Sequence, residues 1–546
     1  MTKKTSRFMP LLMALCVVIG ICIGTFYANH FSGNRLSVIN SGTNRLSNLL
    51  HIIDDQYVDT VNIDQLVDKA IPQILSELDP HSIYIPAKDA QRAADDLKGS
   101  FCGVGIEFVI RDDTIHVQNV IENGPAERAG LIAGDKIVAV DGKPFVGKTV
   151  TSDEAQHRLK GEKGSKVKIG VIRYGSDKIK TFEVTRDEIK TKSVSATYML
   201  DDKTGYIKVK SFGETTYAEL LAGLATLAQS GFDNLVIDLR DNGGGYLESA
   251  VQMANEFLPN NRLIVYTEGR KSPRKDYKSD GRGSYINIPL VVLVNENSAS
   301  AAEIFAGAMQ DNDRATIIGL RTFGKGLVQQ QISFPDGSMI RLTIARYYTP
   351  SGRCIQKPYV AGDGEDYSHD MASRYENGEF FSQDSIKHTG PAYYTVGKRT
   401  VYGGGGITPD IFVAEDTTNI TSYYSQAAAS GLILQFAFSY TDDNRLKLND
   451  FKEMQEMADY LVKQNTVEIF ADYADRHGLQ RRNLMIKKSH SLLEKFINSR
   501  IIYNMLDEEA WVEYLNHDDP VIKAAQDVFT RGEAFPKLKS TAAKGK

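Results

Sequence analysis

Residues 234–258 read NLVIDLRDNGGGYLESAVQMANEFL, and residues 290–311 read LVVLVNENSASAAEIFAGAMQD. Each stretch begins with a short apolar run rich in Val, Ile and Leu, the pattern of a strand buried on both faces. Each then passes through a turn into apolar residues spaced three and four apart, the pattern of a helix. Two strand–turn–helix units in succession predict a parallel or mixed sheet covered by helices. Working outward, GYIKVKSF (205–212), ATIIGL (315–320) and LVQQQISF (327–334) add strands, and TTYAELLAGLATLAQSG (215–231) adds a helix closed by Gly231. The predicted core is therefore α/β, from about 189 to 415.

On the N-terminal side the texture changes. From Phe101 short β-runs alternate with glycine turns. GVGIEFVIRDDTIHVQNV (103–120) predicts a hairpin about Asp112–Asp113, and Asp141–Gly142 predicts a tight turn. TSDEAQHRL (151–159) predicts a helix capped by Thr151 or Ser152. Residues 98–188 are thus expected to form a separate, small β-rich domain. Residues 31–97 and 416–546 read as helical regions, with DPHSIYIP (79–86) breaking the first. The polar, tyrosine-rich stretch from 362 to 395 reads as an insertion or long loop. Residues 1–30 carry Lys3, Lys4 and Arg7 ahead of a run from Phe8 to Tyr27 without a charge. That length suits a membrane anchor with the rest of the chain outside the cytoplasm, and a cleaved signal segment is the alternative.

Composition narrows the chemistry. The net charge of −5 advertises no polyanion-binding surface, so no nucleic-acid partner is expected. There is no HExxH and no cluster of Cys or His, so neither a metal nor a cofactor is expected. Four cysteines are too few for a disulfide framework, and whether Cys102 pairs with Cys354 is open at this stage.

Three local patterns could carry chemistry. Ser300 stands between a buried strand and a helix, where free N–H groups and the helix dipole favour a developing oxyanion. Ser300 and Glu303 also form the pattern of a capping box, a common structural device, and Ser298 competes as cap or nucleophile. Lys325 sits between Gly324 and Gly326 at the mouth of a strand, with Gln329 an even offset away. A lysine acts as a base only when neutral, which burial favours; a solvated surface lysine is the alternative. Asn242-Gly243-Gly244-Gly245 can present backbone N–H groups to an anion, be it a phosphate or an oxyanion. GxSxG is absent and no histidine has a catalytic context, so a lysine is the economical partner for a serine nucleophile.

Together, LDPHSIYIP, GVGIEF, NGPAERAGLIAGDKIVAVDG, DLRDNGGG, NENSASAAEIFAGAMQD, RTFGKGLVQ and ITPD resemble, in order, the carboxyl-terminal processing (tail-specific) proteases. The resemblance runs from about Leu78 to Asp410. It implies a Ser/Lys protease core behind a PDZ domain of permuted strand order. Ser300 would be the nucleophile, Lys325 the general base and Gln329 the residue orienting it. Ala301 and Gly244 would supply the oxyanion N–H groups, with Gly243 as the less favoured glycine. Gly103, Val104, Gly105 and Ile106 would bind a C-terminal carboxylate, with the peptide added as a strand. The implied substrates are proteins with free, flexible C-termini, and a homodimer is an expectation. An inactive PDZ adaptor and a thioester enzyme on a related core are the competing readings.

Overall fold

The computed structural model describes residues 13–21 and 42–536, except 112, 149, 174, 175, 177 and 389. The chain divides into two compact units, Met1–Ile74 and Leu75–Lys546. The first holds α1 (13–21) and α2 (Gly42–Gln56), and α3 (Ile63–Ser76) runs to the boundary. Most of the apolar run from Phe8 to Tyr27 lies outside the described residues; its described part, α1, is exposed throughout. Among the described residues no helix is long and apolar enough to cross a membrane.

The second unit opens with β1 (Ile83–Ile85) and α4 (Ala87–Lys98). The chain then enters the small β domain through β2 (Ser100–Gly103) and leaves it through β9 (Asp187–Lys190), and these two strands pair antiparallel as a stalk. Between them stand β3 (Ile106–Arg111), β4 (Thr114–Val120), α5 (Pro125–Ala129), β5 (Lys136–Val140) and β6 (Lys143–Pro144), then α6 (Ser152–Leu159), β7 (Lys166–Ile172) and β8 (Ile179–Thr185). Their sheet has the order β3-β4-β5-β7-β8, which leaves β3 as an edge strand. The expected hairpin is β3–β4. The Asp141–Gly142 turn joins β5 to β6 with φ of +50° and +73°, the two positive values that a type I′ turn requires. Thr151 is the cap of α6, its hydroxyl accepting the Glu154 N–H.

The core sheet runs β10 (Val194–Met199), β11 (Thr204–Val209), β12 (Asn234–Asp238), β15 (Leu290–Val294), β16 (Thr316–Gly319) and the two-residue strand Ile411–Phe412. All neighbours are parallel except β10 on β11, so the sheet is mixed. α7 (Thr216–Ser230), α8 (Leu247–Asn255) and α9 (Ala301–Asp311) cover one face. Val512, Ile522, Ala525 and Val528 from two C-terminal helices cover the other. That double cover is why β15 is five buried residues without a polar alternation. A second, antiparallel sheet of β1, β13 (Leu263–Glu268), β14 (Lys275–Lys278), β17 (Leu327–Ser333) and β18 (Met339–Tyr348) stands beside it.

The stretch from 362 to 395, expected as an insertion or long loop, contains α10 (Gly364–Glu376). Asp363 caps it by accepting the Asp366 N–H, acidic residues occupy its first turn and Arg374 its last. Only Tyr367 and Arg374 are buried, so no apolar period marked it. Six helices, α11 (Ser422–Ala429), α12 (Leu432–Leu448), α13 (Met454–Lys463), α14 (Thr466–Arg476), α15 (Asn483–Lys488) and α16 (His490–Met505), form a bundle with its own core. α17 (Glu508–Asn516) and α18 (Pro520–Thr530) lead back to the sheet. Cys102 and Cys354 are both free thiols.

Candidate active site

β12 and β15 are adjacent parallel strands, so the glycine turn after one and the serine turn after the other emerge at the same carboxyl edge. Open α/β sheets place their ligands at that edge. The serine turn is fastened from below. The buried Ser298 hydroxyl donates to Leu239 O at 2.7 Å and accepts from Asn295 N–H at 3.0 Å, and Ala299 N–H donates to Asn242 O at 2.9 Å. Ser298 is thus committed to the turn. Ser300 follows with φ +56° and ψ −114°, a conformation that costs a non-glycine residue about 1–3 kcal/mol and persists only when its surroundings impose it.

Glu303 supplies much of that imposition. Its carboxylate is completely buried and takes four donors. Ser300 N–H and Lys325 N–H converge on Oε2 at 2.9 and 2.8 Å, while Gly324 N–H and the Thr322 hydroxyl converge on Oε1 at 2.7 and 2.5 Å. Burial pushes its carboxyl up to about 7 against the pull of those donors. One side chain therefore ties the serine at the helix start to the loop that carries the lysine. Tyr347 adds a second tie: its buried hydroxyl stands between Ser300 O, at 3.0 Å, and Lys325 O.

The Lys325 ammonium has no hydrogen-bond acceptor among the described residues. Burial, and after it the positive Arg341, holds its pKa below the ordinary lysine value. Lys325, Gln329, Ser300, Ala301 and Gly244 line one cavity of about 650 Å³. Gln329 reaches it otherwise than its offset suggested, because β17 begins only at Leu327 and its register shifts between Val328 and Gln329. Its amide donates to His81 O, and no hydrogen bond joins it to Lys325. The His81 segment is pinned by Asp79, whose carboxylate accepts His81 N–H at 2.9 Å, Ser82 N–H at 2.9 Å and the Ser82 hydroxyl at 2.6 Å. Burial, and then Lys325, take the His81 imidazole down to about 4, so it is neutral beside the lysine.

Gly244 lies against the serine. A Cβ there would meet Ser300 Cβ at 2.7 Å and Ala299 O at 2.8 Å, and its φ is +99°. Its N–H donates to Asn242 Oδ1 at 2.8 Å, so this donor is engaged within the turn. Asn242 is buried and held in turn by Val209 O at 2.7 Å. Ala301 N–H, at the first turn of α9, has no acceptor among the described residues.

In the β domain, Val104 O accepts Ala126 N–H at 2.8 Å and Gly105 O accepts Ile121 N–H at 3.1 Å. A trans peptide sets N–H opposite C=O. The Gly105 and Ile106 N–H groups therefore point away from those partners, at the free edge of β3. Gly103, Val104 and Gly105 are buried and Ile106 is half-buried.

Residues 203–365 match peptidase family S41, and residues 103–185 match the PDZ domain family. Residues 423–507, in the helical bundle, match a family of unknown function, DUF8443. A carboxy-terminal-processing protease of Bartonella bacilliformis is 39% identical over 57% of this chain and 72% of its own length. The chain belongs to the carboxy-terminal-processing proteases of peptidase family S41. The processing protease CtpA of Bacillus subtilis is 34% identical over 61% of this chain and 73% of its own. The solved photosystem II D1 C-terminal processing protease is 25% identical over 69% of this chain and 95% of its own, with a TM-score of 0.35. By its family matches and its curated relatives, this chain is a serine-type peptidase of family S41 with a PDZ domain.

Sequence reasoning about this processing protease missed the side chains that fasten the site. Glu303 read as a local helix cap, although two of its donors lie 21 and 22 residues away. Tyr347 carried no local signal, since its hydroxyl acts across the fold; the Asn242 turn and the Asp79–His81 segment were marked in the sequence, but not the side-chain bonds that Asn242 and Asp79 make.

Proposed function

We propose that Ser300 and Lys325 form the catalytic pair, acting on protein tails presented by the PDZ domain. The observation that carries this is the shared cavity: a buried lysine, its pKa lowered and its ammonium without an acceptor, beside a serine in a strained conformation at a helix N-terminus. Neutral Lys325 takes the hydroxyl proton as Ser300 Oγ attacks a tail carbonyl. The tetrahedral intermediate collapses to an acyl-enzyme, and Lys325 returns the proton to the leaving amine. Water, deprotonated by Lys325, then hydrolyses the ester and frees Ser300.

The Ala301 N–H is positioned for the oxyanion, and Gly244 N–H becomes the second donor once it leaves Asn242 Oδ1. Loss of one such donor costs about 10²–10³ in rate. Gln329 orients Lys325 when its amide turns from His81. The tail carboxylate is held by the Gly105 and Ile106 N–H groups in the Gly103–Ile106 loop, and the tail pairs with β3. The apolar run from Phe8 to Tyr27 with its basic flank is proposed as the anchor that keeps the catalytic part outside the cytoplasmic membrane; sequence alone supports this.

The test pairs two substrates and one variant. A serine-directed phosphonate probe should label the wild type and not Ser300→Ala. An unstructured protein with a free apolar C-terminus should be cut faster than the same protein with its end amidated. Labelling that survives in Ser300→Ala refutes the nucleophile. Absence of any labelling or cleavage shifts the reading to an inactive PDZ adaptor.

A further inference from the structure

The helical bundle that matches a family of unknown function touches the PDZ domain at its peptide-binding edge. The Tyr503 hydroxyl of α16 donates to Glu107 Oε2 of β3 at 2.8 Å. Gln118 of β4 donates to Asn504 Oδ1 at 2.7 Å, and the His116 ring meets the Phe438 ring edge-on with centroids 5.3 Å apart. A tail that pairs with β3 therefore pairs with the strand that α16 holds.

Two residues beyond α16, Asp507 caps α17 by accepting the Ala510 N–H at 2.8 Å. That cap aims the next residue, Glu508, at the protease core, where both its oxygens bond Lys210 Nζ, at 2.7 and 3.0 Å. Glu509 Oε2 accepts Thr197 N–H at 2.8 Å on the adjoining strand. Lys210 begins the segment that forms one wall of the catalytic cavity, through Ser211, Phe212 and Gly213. Phe212 N–H donates to Gly244 O at 2.9 Å, and Phe212 O accepts Tyr246 N–H at 2.8 Å. The glycine turn is hung from that wall.

A row of contacts transmits nothing unless an element at its end has two arrangements. The glycine turn supplies them. In one, seen here, Gly244 N–H is spent on Asn242 Oδ1; in the other it faces the oxyanion. We propose that the C-terminal helical bundle couples tail binding at β3 to this turn, with Tyr503 and Glu508 as the two ends of the coupling. This rests on the reading that the PDZ domain takes the tail. A tail on β3 shifts Glu107, α16 and α17 move with it, and Lys210 carries the shift into the wall that holds the turn. For equilibrium binding the reverse also holds: an occupant of the oxyanion site tightens tail binding by the factor by which the tail tightens the binding of that occupant.

The probe is a peptide with a free apolar C-terminus, beside its amidated form, added to the full chain during labelling by the phosphonate. In the wild type the acid peptide should raise the labelling rate at least about 5-fold, the low end of typical allosteric factors. The amidated peptide should not. In Tyr503→Phe and Glu508→Gln the acid peptide should still bind and the basal labelling rate should hold, but the rise should vanish. The paired exchange Lys210→Glu with Glu508→Lys should restore it. At equilibrium, phosphonylated wild type should bind the acid peptide about 5-fold tighter than unlabelled enzyme, and phosphonylated Glu508→Gln should bind it no tighter. A rise that persists in Glu508→Gln overturns the proposal, as does an acid peptide that binds the wild type without changing its labelling. An acid peptide that does not bind at all overturns both the coupling and the tail reading beneath it.

Discussion

Glu303→Gln changes one buried atom and should unfasten the turns that carry Ser300 and Lys325. Four donors converge on the carboxylate, two on each oxygen. Glutamine keeps one acceptor oxygen and puts an NH2 group where the other stood. Two of the four donors then face a donor. A buried donor left unpaired costs about 1–3 kcal/mol, so the variant should lose about 2–6 kcal/mol of stability. The pH dependence has a definite sign. The Glu303 carboxyl titrates near 7 in the folded chain, above its ordinary value of 4.5, so folding binds a proton between those limits. Its contribution to stability is fully present below about 4.5 and is lost as pH rises through 7. Glutamine has no such term. The stability gap between wild type and variant, measured by urea unfolding, should therefore be widest near pH 5 and narrow towards pH 8. Ser300 and Lys325 both hang from this carboxylate by their N–H groups, so phosphonate labelling should fall by at least about tenfold, the loss that about 1.4 kcal/mol of misplacement represents. A variant within about 0.5 kcal/mol of wild type at all pH values, labelling normally, would refute the clamp and leave Glu303 as an ordinary helix cap.

Other perturbations test neighbouring parts of the same geometry. Gly244→Ala puts a methyl 2.7 Å from Ser300 Cβ at a φ of +99°, so both labelling and thermal stability should drop; an active, stable variant would mean the turn is not pressed on the serine. Ser300→Gly relieves a conformation that Ser300→Ala retains, and should be more stable than it by about 1–3 kcal/mol in urea unfolding. The labelling rate should rise with pH as Lys325 loses its proton, and level off below the ordinary lysine value of 10.5 because burial lowers its pKa. Lys325→Arg should be inactive across that range, since a guanidinium stays charged; an active arginine variant would remove the base from the mechanism.

What could be read from sequence was what local pattern encodes. The apolar runs at 234–238 and 290–294, the Asp141–Gly142 turn and the helix after Ser300 each follow from side-chain period or turn chemistry. What escaped depends on side-chain directions and contacts that no apolar period encodes. Gly244 N–H was expected on the oxyanion and is spent on Asn242, a partner two residues away whose side-chain direction is set by Val209. Gln329 was placed beside Lys325 by strand alternation, and a register shift and the carbonyl of His81 redirect its amide. The helix at Gly364–Glu376 is polar on nearly every face, so its only marks were its cap and its charges. The Tyr503–Glu107 contact joins residues 396 apart, beyond any reading by period.

Joint action of Ser300 and Lys325 on protein tails is the proposal on which the rest depends. The most direct measurement is cleavage of an unstructured protein with a free apolar C-terminus by wild type, Ser300→Ala and Lys325→Ala, followed by mass spectrometry. Tail fragments should come from the wild type alone, with loss of the base costing about 10²–10⁴ in rate. Cleavage by Lys325→Ala at the wild-type rate, or by Ser300→Ala at any rate above background, would contradict it.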